Sequence, residues 1–107
     1  MKIKIFQINQ QRDKDNIKFM DLNYIREKVG YLTANIYDIV FSGDVNCQSL
    51  EEVYTAFNRD IRPEGFSGHS LSVSDVVQII DSEEYEPGFY FCDSIGWQQL
   101  WIKEWSL

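Results

Sequence analysis

Three side chains in the second half of the chain have the types a nucleophilic site needs. They are Cys92 as nucleophile, His69 as base and Asp75 to orient the base; His69 is the only histidine. Such a site works only when the base lies within hydrogen-bond reach of the nucleophile and a third group fixes the base. Cys92 sits inside the aromatic run "FYFCD", where a buried, inert thiol is the usual outcome, and no nucleophile elbow stands beside it. "GFSGHS" (65–70 with its flanks) has the glycines of a phosphate loop, but lacks the closing Lys-Ser/Thr pair and leads into an apolar strand rather than a helix. The acids of "DSEEYE", Asp81, Glu83, Glu84 and Glu86, lack the alternating ligand positions and bridging glycine of a calcium loop. They read as a solvated hairpin tip. Cys47 and Cys92 form no CxxC, and His69 cannot complete a zinc site with them. The sequence thus predicts no catalytic residue, no metal ligand and no cofactor.

The same residues have a structural reading. In "GHSLSVSDVV", Leu71, Val73, Val77 and Ile79 are all odd-numbered and share one strand face. Asp75 falls on that face, where a lone carboxylate would cost several kcal/mol unless richly hydrogen-bonded. The strand is expected to bulge or turn at Ser74-Asp75 so that the carboxylate caps backbone amides. Alternatively, Asp75 accepts bonds from Ser72, Ser74 or His69 across a bend. On either reading His69, Ser72, Ser74 and Asp75 brace the chain.

The elements that must position these residues can be read along the chain. Residues 2–9 form a strand, with Ile3 and Ile5 facing one way and Phe6 and Ile8 the other, as befits an interior strand. Residues 11–16 are a polar loop. Residues 21–30 form a helix capped by Asp21, ended by Gly30, and striped by Leu22, Ile25 and Val29. A strand follows at 36–43, with Tyr37, Ile39 and Phe41 on one face. The second helix, 49–58, opens with a Ser49/Glu52 capping box and carries Leu50, Val53, Tyr54 and Phe57 toward the core. A loop at 59–68 leads to one strand, or a bent pair, at 70–80. The acidic connector 81–88, a strand at 89–93, a tight turn at 94–96 and a last strand at 97–105 complete the series. In that last strand Trp97, Trp101 and Trp105 share parity against Leu100 and Ile102. The stripe is expected mainly to pack as core or lid; if Trp105 lies past the sheet edge, it is instead an exposed anchor for a partner.

Together these predict a single α+β domain over 1–107. Its sheet has about five strands, mixed or antiparallel, with two short helices on one face, in the order β-α-β-α-β-β-β. The formal charge of −7 disfavours direct nucleic-acid binding, which depends on cations displacing counterions. It suits a basic protein partner or a surface that imitates nucleic acid. No apolar run approaches the ~20 residues of a membrane span. The alternating "MKIKIFQIN" is unlike a signal peptide. A cytoplasmic protein with free thiols is expected, a monomer or a weak homodimer paired through an edge strand.

The segments "FMDLNYIREKVG", "YDIVFSGDV", "SLEEVYTAFNRDIRPEGFSGHSLSVSDVV" and "FYFCDSIGWQQL" together resemble the YodL-like domain over about residues 17–102. That resemblance implies a small α+β accessory module found in Firmicutes, often within large polyvalent proteins of phages, plasmids and conjugative elements, with no established catalytic mechanism. Its signature maps to Pro63, Gly68, His69, Ser70, Ser72, Val73, Ser74, Asp75, Val76, Cys92, Asp93, Ser94, Gly96 and Trp97. The expected function is a non-catalytic module that docks on a host protein. In its sharper form it inhibits a nucleic-acid-binding defence system, in the manner of an anti-CRISPR protein. The alternatives are a regulator of cytoskeletal or envelope machinery, and a small hydrolase using His69 and Cys92. The expected contact surface comprises Asp93, Trp97, Trp101 and Trp105 with the acidic tip of Asp81, Glu83, Glu84 and Glu86.

Overall fold

The computed structural model of the protein describes residues 1–101 and 104–106. Strand β1 (Lys2–Ile8) is followed by helix α1 (Leu22–Lys28), the short β2 (Leu32–Thr33) and β3 (Tyr37–Asp44). Helix α2 (Leu50–Ala56), strands β4 (Val76–Asp81), β5 (Gly88–Cys92) and β6 (Trp97–Gln99), and the short β7 (Trp105–Ser106) complete the order. The main sheet has five strands in the order β3-β1-β4-β5-β6, and every pairing is antiparallel. A second, two-stranded sheet pairs β2 with β7 in parallel. The fold is therefore α+β with a five-stranded antiparallel sheet and two helices, as the sequence predicts.

Both helices begin where the sequence places their caps. The Asp21 carboxylate accepts the Tyr24 amide at 2.8 Å, and the Ser49 hydroxyl accepts the Glu52 amide at 3.1 Å. The reciprocal arm of the second cap differs: Glu52 Oε1 accepts from the Gln48 amide, one residue before the cap. Gly30 adopts φ +89 just beyond α1, a left-handed stop that residues with a Cβ rarely accept.

The placement of the helices corrects the expectation that they share one face. Leu22 and Ile25 of α1 pack with Phe6, Ile8, Tyr37, Val76, Phe91 and Trp105. Leu50 and Val53 of α2 and the adjoining Phe57 pack with Ile3, Ile5, Phe41, Leu71, Val77, Ile79 and Tyr90. Successive residues of one strand, Val76 and Val77, or Tyr90 and Phe91, belong to different clusters, so the helices cover opposite faces. A helix on one side alone would leave half of the apolar β1 and β4 side chains in water.

A β-bulge adds a second correction. Ile5 pairs with Phe41 while Phe6 pairs with Ile39, so Val40 is an extra residue in β3. The odd-numbered face then switches side. Tyr37 joins the α1-side core, Phe41 joins the α2-side core, and Ile39 between them is 54% exposed. The Ser67 amide bonds the Val40 carbonyl at 3.0 Å, which ties the loop before His69 to the bulge.

The last predicted strand also divides. β6 ends at Gln99, the Glu104 amide bonds the Trp101 carbonyl at 2.8 Å, and β7 leaves the main sheet to lie beside β2. Ile102, expected to share a face with Leu100, lies outside the described residues. Among the described residues no helix is long and apolar enough to cross a membrane.

Candidate functional site

β1 and β4 pair only as far as Phe6 opposite Val76. Beyond that point β1 continues with Gln7 and Ile8, while the chain before Val76 turns away. Gln7, a buried polar residue on the Ile3/Ile5 face, fills the opening. Its Nε2 donates to the His69 carbonyl (2.8 Å) and to Asp75 Oδ2 (3.1 Å), and its Oε1 accepts from the His69 amide (3.1 Å). This close approach requires Gly68. A Cβ there would collide with the Gln7 Oε1 and lie 2.9 Å from its Cδ.

The residues around Asp75 bind backbone. Asp75 Oδ2 accepts from the Ser72 amide at 2.8 Å, and the Asp75 amide donates to the Ser72 carbonyl at 3.1 Å, closing a tight turn. Ser74 sits in that turn at φ +82, a strained value for a residue with a side chain. Three hydrogen bonds hold it. Its amide donates to the Cys92 carbonyl, its carbonyl accepts from Tyr37 OH, and its Oγ accepts from the Phe19 amide. The Cys92 amide then bonds the Asp75 carbonyl at 2.8 Å. Ser72 Oγ donates to the Ser70 carbonyl. His69 Nδ1 lies 2.7 Å from the same carbonyl, so we assign the ring proton to Nδ1. The turn expected at Ser74-Asp75 is present, and β4 begins only at Val76.

The electrostatics follow from burial. Asp75 is 0% exposed, and desolvation raises its pKa from 3.8 to about 7, against the opposing pull of the Ser72 amide, the Gln7 amide and Lys18. Asp75 Oδ1 and His69 Nε2 have no hydrogen-bond partner among the described residues. Burial also raises Tyr37 well above its usual value, with smaller contributions from Asp75 and Asp13. The Cys92 thiol is pushed up to about 12 by burial and then by Asp75 and Asp93, so it stays protonated at neutral pH.

His69 and Cys92 open onto different clefts. His69 lines one of about 610 Å3 with Gln7, Asn9, Gln10, Lys18 and Asp38. Cys92 lines one of about 360 Å3 with Tyr54, Val73, Asp93 and Trp97. Asp75 lies between them, its side chain turned to Gln7 and the Ser72 amide. Cys47 and Cys92 are both free thiols.

The tryptophans do not form the expected stripe, because β6 ends at Gln99 and Trp105 pairs with Leu32 in the second sheet. Trp97 is half-buried against the α2-side core. Trp105 is 6% exposed and packs against Phe6, Tyr37 and Phe89 with ring centroids 5.1–5.4 Å apart, so it is core and not an exposed anchor. Trp101 takes the exposed position at 69%. Arg26 stacks on it at 5.5 Å and also binds Glu104 through two nitrogens, while Glu104 Oε1 accepts the Trp101 amide. Asp93 Oδ1 accepts the amides of Leu22 and Ser94, so it tethers the first turn of α1 to the β5–β6 hairpin. Asp81, Glu83, Glu84 and Glu86 are all exposed, and Ser82 Oγ accepts the amides of Glu84 and Tyr85.

Sequence reading missed Gln7, Arg26 and Phe19. Gln7 did leave a signal, as the one polar residue on the Ile3/Ile5 face of an interior strand. It breaks the pattern in β1 as Asp75 does ahead of β4, and the two exceptions bond each other.

The model of the YodL-like domain family matches residues 2–102. The chain belongs to the YodL-like domain family. The match begins at Lys2, well before the segment near Ile17 where the resemblance starts, and so takes in β1 and Gln7. The YodL-like domain here spans all five strands of the main sheet and both helices. No curated protein and no solved structure matches the chain.

Proposed function

We propose that the protein is a small, acidic, non-catalytic binding module of a mobile element or its Firmicutes host, acting in the cytoplasm by docking on a host protein. The observation that carries this reading is the presentation of Trp101. An indole 69% exposed is held by the Arg26 guanidinium, which Glu104 fixes from the other side while also bonding the Trp101 backbone. Rigid, exposed aromatic side chains are the commonest anchors of protein interfaces. The binding of His69, Ser72, Ser74 and Asp75 to backbone supports the same reading, since it leaves them a bracing role.

In its sharper form the module inhibits a nucleic-acid-binding defence enzyme. Its exposed carboxylates, Asp81, Glu83, Glu84 and Glu86, would face a cationic channel. Affinity capture from host lysate with wild-type and Trp101→Ala baits, repeated across a salt series, tests both levels. The docking reading expects one partner whose affinity falls about 30-fold with Trp101→Ala, the equivalent of a hot spot worth about 2 kcal/mol. Equal capture by both baits would refute the role of Trp101. A complex insensitive to salt would refute charge mimicry.

A further inference from the structure

The groove between α2 and the β5–β6 hairpin has a lining whose chemistry selects a ligand. It holds about 360 Å3, within the range of side-chain and small-ligand sites. Tyr54, exposed on α2, and Trp97, half-buried on β6, supply aromatic walls, and Val73 adds an apolar one. The acidic side chains on the lining are Glu51 and Asp93, and among the described residues no Lys, Arg or His joins them. Cys92 at the same surface remains a neutral thiol and adds no charge. Asp93 uses Oδ1 for the Leu22 and Ser94 amides, and among the described residues its Oδ2 has no hydrogen bond. Arg26, the cation whose charge is felt at Asp93, is already committed to Glu104 and Trp101.

Resting on the docking reading above, we propose that this groove is a recognition slot for an arginine side chain on a basic segment of the partner. A guanidinium is flat and weakly hydrated. It stacks on indole and phenol rings and offers paired N–H donors to a carboxylate, whereas an ammonium is a compact, strongly hydrated point charge. Two aromatic walls with a carboxylate on each side of the groove, one from α2 and one from the hairpin, match the first and not the second. The net charge of −7 draws a basic segment toward the surface before the side chain seats.

The test is an NMR titration of the intact protein with acetyl-arginine methylamide, with the citrulline and lysine analogues as controls. Arginine is expected to shift the Trp97 indole N–H, assigned with Trp97→Phe, and the amides of Asp93, Ser94 and Gly96. Tyr54→Ala and Glu51→Gln change exposed positions and are expected to fold. Each should weaken arginine binding about three- to tenfold, the worth of one cation–π or ionic contact. Equal shifts with citrulline or lysine, shifts confined to residues 81–86, or full binding by the Tyr54→Ala variant would each overturn the proposal. If wild type and a Tyr54→Ala/Glu51→Gln double variant capture a host partner equally well, docking stands and the arginine slot falls.

Discussion

Replacing Asp75 by Asn should flatten the pH dependence of stability. The carboxyl is fully buried, and its pKa rises from 3.8 to about 7 on folding. A group whose folded pKa is raised binds its proton more tightly in the native state, so an acid of this kind stabilises the fold at low pH and loses that contribution as pH rises through 3.8 to 7. At about 1.4 kcal/mol per tenfold change in proton affinity, the whole rise corresponds to roughly 4 kcal/mol, of which roughly 2.5 kcal/mol falls between pH 5 and pH 8. In Asp75→Asn the amide oxygen can still accept from Gln7 Nε2 and the Ser72 amide. Its NH2 takes the place of Oδ1, which has no partner, at a cost of about 1–3 kcal/mol. Urea unfolding of both proteins at pH 5 and pH 8 measures the difference. Wild type should lose about 2.5 kcal/mol more than the variant over that range, and the variant should be the more stable of the two at pH 8. Asp38 and Glu104 have lowered pKa values, through Arg12 and Arg26 respectively, and lose their stabilising effect only as pH falls. They are common to both proteins and cancel. Parallel pH profiles would refute the reasoning.

Gly68→Ala should destabilise by about 1–3 kcal/mol by driving a methyl into the Gln7 amide, and the penalty should shrink in a Gln7→Ala background, as a double-mutant cycle in urea would measure. Trp105→Ala should cost about 3–5 kcal/mol in denaturant titration, whereas Trp101→Ala should cost about 1 kcal/mol or less, because one ring is core and the other stands in water. In native protein at neutral pH, iodoacetamide should modify Cys47 well before Cys92, which should react only once denaturant opens the core; mass spectrometry of the two peptides decides it.

Local features were readable in the sequence because they have local causes. Asp21 and Ser49 cap the helices they precede, Gly30 takes the left-handed stop, and the apolar residues on both faces of 2–9 mark a central strand. The out-of-phase Asp75 announced a turn, and the turn is there. What failed required knowledge of distant partners. The stripes on α1 and α2 state that each helix buries a face, not which side of the sheet receives it. The parity of Tyr37, Ile39 and Phe41 was broken by one extra residue, Val40, whose carbonyl finds its partner at Ser67. The parity of the three tryptophans failed because β6 stops at Gln99 and β7 takes its partner, β2, from the other half of the chain. Asp75 looked anomalous alone and Gln7 drew no notice, and their meeting across 68 residues is a fact of topology.

The central position of β1 also shapes how the chain can fold. β1 lies between β3 and β4, and its pairing with β4 joins Lys2 to Asp81. During synthesis this strand can acquire its first neighbour early, but its other edge stays open until residues 76–81 emerge. An apolar strand with one bare edge is sticky, and closing so long a loop is slow. The lysines at 2 and 4, which alternate with Ile3 and Ile5 along that edge, are well placed to discourage premature pairing with another nascent chain.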